Sequence, residues 1–235
     1  MSGGDHHGPG STTFGELFGL TTAEVASELG IGAGDFFILV LTRSEPPALL
    51  AGLVFVAMFE ELCMLMAAAM STGVAVRLIE AIESGNASEA ASSRLGILLS
   101  AFVSLTVGTL VLVVAQPYLV RAAGLEGDAI AIIDDAVLPM CIALIPATIS
   151  RVLGNILSAM DAYIGLAATG FLDAIVGVSS FAWLHSFMGV RAYPWSTVIR
   201  STAAVFMAAA MIYWADVIEP EDEDADGDGD TIEER

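Results

Sequence analysis

The chain has 235 residues, of which 56% are hydrophobic, and a formal net charge of −20. Its mean hydropathy of +0.76 is more than a water-soluble core can bury, so the composition excludes an ordinary soluble domain and predicts an integral membrane protein. Nucleic acid is excluded as a partner, because 28 acidic residues face only 8 basic ones and a phosphate backbone requires a basic surface.

All eight basic residues are Arg, and the chain contains no Lys. Carboxylates keep a protein surface hydrated at high salt, and salt screens the repulsion between them over a short distance. This composition predicts a halophilic source with a salt-rich cell interior.

The series of apolar segments along the chain predicts an all-α fold, a polytopic membrane bundle of about six transmembrane helices. A span needs about 20 mostly apolar residues. Residues 1–21 are predicted to form a flexible leader without a cleavable signal peptide, and the domain 22–218 to contain the helices. The predicted spans are 22–42, 48–70, 95–116, 137–160, 163–187 and 197–218.

The first predicted span is the least regular of the six. It contains Glu24, Glu28 and a glycine-rich centre, but its apolar FFILVL stretch leads directly into a short turn with Pro46 and Pro47. Such a stretch would promote aggregation outside lipid. Between the second and third spans, VRLIEAIESGNASEAASSR predicts a long polar connection, and the arginine distribution leaves the orientation in the membrane open.

Two adjacent carboxylates, Glu60 and Glu61, lie near the middle of the second predicted span. An ionised carboxylate at the bilayer centre costs several kcal/mol, so neither is expected to face lipid. Neighbouring helix residues point about 100° apart. We therefore expect one carboxylate to line a cavity and the other to meet a different helix.

Further polar side chains recur inside the later spans. Arg151, Asn155 and Ser158 follow helical spacing on the fourth span and form one stripe, and Asp173 lies on the fifth. Asp35 adds an acidic position on the first. One interpretation is a central cavity in which Glu60, Glu61, Asp173 and Asp35 bind a cation or proton, while Arg151 and Asn155 meet an anionic group. The alternative is a buried Arg–Glu pair, with Arg151 as the counter-charge, that only fixes helix packing.

The sequence predicts neither catalysis nor a bound cofactor or metal. It lacks the nucleophile and zinc-binding motifs of common enzymes. His6 and His7 have no further metal ligands nearby, and Cys63 and Cys141 lie in apolar runs as reduced packing residues.

The acidic tail, 219–235, matches a calcium-loop pattern over 222–233. Gly229 stands where such a loop usually has an aliphatic residue, and the chain ends two residues after Glu233. A disordered, hydrated tail is predicted in place of a calcium site.

Two stretches, STGVAVRLIEAIESGNASEA and LGNILSAMDAYIGLAATGFLDAIVG, resemble one six-helix half of a protein of the multidrug and toxin extrusion or Wzx-type polysaccharide flippase superfamily. The resemblance implies a multi-pass cell-membrane protein with cytoplasmic termini. It also implies a lipid-linked glycan or another amphiphile as cargo. Because family members carry two such halves, it further implies a homo-oligomer or a second half-transporter as partner. The alternative is a non-transporting membrane scaffold or regulatory subunit whose buried charges are structural.

Overall fold

The computed structural model describes residues 14–83, 87–159 and 162–218. These residues form six α-helices and one short 3-10 turn. The helices are α1 Phe14–Leu41, α2 Pro47–Glu83, α3 Ala87–Ala122, α4 Asp128–Ala159, α5 Tyr163–Met188 and α6 Ala192–Ile218, with the 3-10 turn at Gly189–Arg191. The predicted all-α class is therefore confirmed.

Among the described residues, three helical stretches are long and apolar enough to cross a membrane. They are Ala101–Ala122, Asp128–Ser158 and Ile164–Trp214, the last of which covers most of α5 and of α6. This finding agrees with a membrane protein. The count of six spans stays a prediction, since α1 and α2 carry carboxylates in their interiors.

Several helices extend beyond their predicted bounds. Helix α1 begins at Phe14, within the segment predicted as a flexible leader, and α2 continues to Glu83 before α3 begins at Ala87. The predicted long polar connection between them is therefore mostly helical. Its Ala, Leu, Ile, Arg and Glu residues all favour helix, and polarity alone does not end a helix. Residues 1–13, with His6 and His7, and the acidic tail lie outside the described part.

The helices form two groups of three. Unit 1 consists of α1, α5 and α6, unit 2 consists of α2, α3 and α4, and the packing of α4 against α6 joins the two. Successive helices reverse direction. We call the end that holds the connections 42–46, 123–127 and 189–191 the turn end, and the other, where Phe14, Tyr163 and Ile218 lie, the open end.

An apolar core cluster fills the turn end of the bundle and spans both units. Members from four of the helices, each at most 5% exposed, are Leu53, Val56, Phe59, Met140, Leu144, Phe181 and Tyr193. Burial of these side chains holds unit 1 against unit 2 at this end. The polar side chains of the interior lie below the cluster, toward the open end.

Small residues bring α1 close to α5. A Cβ atom on Gly30 would lie 3.2 Å from the backbone of Gly170, and one on Gly34 would lie 3.1 Å from Cα of Ala174. Small residues four positions apart allow helix backbones to approach closely. This contact fixes the register of α1 and so places Asp35, the next residue after Gly34, toward the bundle interior.

Candidate functional site

A cavity of about 280 Å³ lies between the two units. Unit 2 contributes side chains of α2 and α4 to its wall, and unit 1 contributes side chains of α1, α5 and α6. Its ionisable and amide lining residues are Glu60, Glu61, Arg151, Asn155, Asp173 and Arg200. Hydroxyl groups complete the polar lining, from Ser27, Ser150, Ser158, Thr169 and Ser201.

Arg200 is the centre of the charged cluster at the floor of this cavity. Its guanidinium is almost fully buried, with 6% of the residue exposed. Nη2 donates to Oε1 of Glu60 on α2, and Nη1 donates to Oδ1 of Asp35 on α1 at 3.1 Å. Asp173 Oδ2 on α5 lies 3.8 Å from Nη1, within ion-pair range but beyond a hydrogen bond. One cation therefore faces carboxylates from three other helices.

Glu60 uses both carboxylate oxygens. Oε1 accepts from Arg200, and Oε2 accepts from the hydroxyl of Thr197 at 3.1 Å. Glu60 is 3% exposed, and a buried carboxylate needs such partners to remain ionised. Thr197 and Arg200 stand three positions apart on α6, so one face of that helix holds the carboxylate.

Glu61 differs from Glu60 in its surroundings. It lines the cavity, but its side chain is exposed. The adjacent carboxylates thus occupy two environments, one bound across the unit interface and one open to the cavity. The division follows from the angle of about 100° between successive helical residues.

The structure brings the six residues singled out from the sequence to one region. Five line the cavity, and the sixth, Asp35, pairs with Arg200 at its floor. Arg151 and Asn155 lie on α4 with Ser158, in the direction of the open end. The spacing that suggested a stripe on α4 therefore corresponds to one wall of the cavity.

The partner of Glu60 differs from the one suggested by the sequence. Arg151 was the expected counter-charge, but the guanidinium that binds Glu60 belongs to Arg200 on α6. Sequence reasoning missed Arg200 even though a signal was present. An Arg within the apolar run TVIRSTAAVFMAAAM is as costly in lipid as Glu60 and needs a partner for the same reason.

The charges around the cavity do not balance. Asp35, Glu60, Glu61 and Asp173 oppose two arginines, Arg151 and Arg200. Carboxylates thus outnumber arginines by two around the cavity, and Glu61 is the most exposed of the four. Among the described residues, no group of three or more His, Cys, Asp and Glu is placed to hold a metal ion, since the carboxylates surround a guanidinium.

No protein-family model, curated protein or solved structure matches the chain.

Proposed function

We propose that the chain is one half of a membrane transporter or flippase that moves an amphiphile by alternating access. The observation that carries the proposal is the ion pair between Arg200 of unit 1 and Glu60 of unit 2 at the floor of a polar cavity. This pair joins the two units where they must separate for the cavity to change sides. Ionisable groups inside membrane helices most often serve transport.

Coupling in this proposal is an exchange of partners by Arg200. Neutralisation of Glu60 by a proton or a bound cation weakens the bond across the interface. Arg200 then interacts with Asp173 and Asp35, both in its own unit, and Asp173 is already within 3.8 Å. Unit 2 loses its charged contact with unit 1, which favours a rocking motion of the two units.

The cargo consistent with this cavity has a polar head that donates and accepts hydrogen bonds. The hydroxyls of Ser27, Ser158 and Thr169 and the amide of Asn155 suit a saccharide, and Arg151 suits a phosphate or carboxylate attached to it. A lipid-linked saccharide has these groups. The cavity lies toward the open end, where α1 begins and α6 ends. This end is on the cytoplasmic side if the resemblance to flippases holds.

Glu60→Gln is expected to abolish flipping while the protein stays folded. The amide still accepts from Thr197 or Arg200, and Arg200 keeps Asp35 and Asp173 as counter-charges. Flipping is measured with a fluorescently labelled polyprenyl-phosphate saccharide in proteoliposomes at molar KCl, as the fraction of probe protected from dithionite. Glu80→Gln, on the exposed side of α2, is the matched control. Equal flipping by both variants would refute the coupling role of Glu60.

We further propose that two copies assemble, because one chain supplies a single set of six helices where the resembled proteins have two. The chain has no Lys, so the cross-linker is a dihydrazide that joins carboxylates after a triazine coupling reagent has activated them. This treatment of native membranes is expected to give a dimer band. A monomer band alone, in membranes where the chain is otherwise intact, would contradict a homodimer.

A membrane scaffold is the second candidate function, and one observation favours it. Both oxygens of Glu60 are occupied and Arg200 faces three carboxylates, as expected for a cluster that only fixes helix packing. In that case Glu60→Gln lowers stability, and neither the variant nor the wild type transports the probe. The wild-type flipping rate in proteoliposomes separates the two functions.

A further inference from the structure

A second cavity, of about 220 Å³, lies at the turn end of the same interface. Unit 2 lines it with Leu49 of α2 and Ala131 of α4, and unit 1 lines it with Met188 and Arg191. Glu45 of the α1–α2 turn completes the wall. The large cavity and this one thus lie on one interface, at opposite ends of the bundle.

Apolar side chains separate the two cavities. Along α4, Ile132 lines the second cavity and Ala147 the first, a separation of fifteen residues or about 22 Å of helix. Along the chain from Arg191 to Arg200 the separation is nine residues, or about 13 Å. The intervening volume is filled by the core cluster, and we call its members on α5, on α6 and on the 3-10 turn between them the plug: Phe181, Val190, Ala192 and Tyr193.

Two polar contacts close the turn end above the plug. Arg191 Nε lies 2.9 Å from Asp135 Oδ2, and this pair joins unit 1 to unit 2. His185 Nε2 lies 3.2 Å from Glu45 Oε1, within ion-pair range but without hydrogen-bond geometry, so α5 and the α1–α2 turn are neighbours here. The side chains of the first pair are about half exposed, so the pair contributes little stability and can break readily.

We propose that the second cavity is the far vestibule of the cargo pathway, and that the plug and the Arg191–Asp135 pair form its gate. This inference rests on the proposed function. Opening requires unit 1 to move away from unit 2 at the turn end. At that end the turn 42–46 links α1 of unit 1 to α2 of unit 2. The polar floor around Arg200 then becomes continuous with the second cavity.

The first test measures exposure of the plug. Ala192, fully buried in the plug, is replaced by Cys in a chain with Cys63→Ala and Cys141→Ala, and a charged methanethiosulfonate is added to proteoliposomes from each side. Glu60→Gln in this background is expected to raise the labelling rate of the cysteine at 192, from the turn-end side only, by about tenfold, as for a shift of about 1.4 kcal/mol in a two-state equilibrium. Phe206→Cys, 71% exposed on the same helix, is the control and should not respond.

The second test locks the gate. Ala131→Cys and Met188→Cys place thiols on opposite units around the second cavity, where a flexible bifunctional methanethiosulfonate can join them. Cross-linking is expected to stop flipping of the labelled polyprenyl-phosphate saccharide, and reduction to restore it. The control is the same double variant treated with a monofunctional methanethiosulfonate of similar length, which should still flip the probe.

The outcomes separate this inference from the proposed function. Undiminished flipping by the cross-linked protein, or a plug whose labelling does not change with Glu60→Gln, would overturn the far vestibule and leave the transporter standing. Labelling that rises as expected in a protein that moves no probe would support the gate and refute the proposed cargo transport.

Discussion

Arg200→Gln is expected to lower the free energy of unfolding by about 3 to 5 kcal/mol, the usual cost of removing one partner from a buried ion pair. Arg200 is 6% exposed and compensates the charge of Glu60, which is 3% exposed. Without the guanidinium, Glu60, Asp35 and Asp173 are left as neighbouring carboxylates.

The measurement is thermal or denaturant unfolding of the purified protein in detergent at molar KCl. Arg191→Gln is the matched control, since it removes an arginine whose pair with Asp135 is about half exposed. Such surface pairs contribute about 0 to 1 kcal/mol. Similar losses in the two variants would show that the cluster around Arg200 is no more important to the fold than a surface pair.

Arg200→Lys distinguishes charge from geometry at the same position. Lysine keeps the positive charge, but its single ammonium cannot reproduce the two arms with which Arg200 bonds Glu60 and Asp35. We expect a stability between those of the wild type and Arg200→Gln. A Lys variant as stable as the wild type would indicate that charge alone holds the cluster.

Composition and apolar run length were enough to predict an all-α membrane-type fold. The ends of helices were harder to predict, as the residues after Met70 show. The apolar run stops there, but RLIEAIE still favours helix, so α2 continues to Glu83. Hydropathy indicates which segment is stable in lipid. A helix ends where its backbone N–H and C=O groups no longer find partners within the helix.

The residues of the candidate site were more predictable than their pairing. Each carboxylate in an apolar run was identifiable by its cost in lipid. Glu60, Glu61 and Asp173 line the cavity, and Asp35 pairs with Arg200 at its floor. The spacing of polar residues along one helix does not show which other helices pack against it. The bond between α2 and α6 joins residues 140 positions apart, and the arrangement of helices into two units decides it.

Gly170→Ala is expected to destabilise the fold by about 1 to 3 kcal/mol, the cost of overpacking a close contact. A Cβ atom at this position would lie 2.6 Å from Cα and 2.7 Å from the backbone oxygen of Ser27. A backbone cannot rotate away as a flexible side chain can, so α1 must shift from α5. Unfolding in detergent at molar KCl measures the loss.

Gly32→Ala is the matched control, because a Cβ atom there would have no neighbour within 4 Å. Alanine favours helix over glycine by about 1 kcal/mol, so this variant is expected to be as stable as the wild type or more so. The two substitutions make the same chemical change and should shift stability in opposite directions. Equal shifts would contradict close packing of α1 on α5.

The same displacement should weaken the charged cluster, because α1 carries Asp35 to its bond with Arg200. A double-mutant cycle between Gly170→Ala and Asp35→Asn tests this connection. If the shift of α1 already breaks the bond, the loss caused by Asp35→Asn will be smaller in the Gly170→Ala background than in the wild type. Additive losses would show that α1 keeps Asp35 in place even when its contact with α5 is strained, and that the cluster itself holds α1.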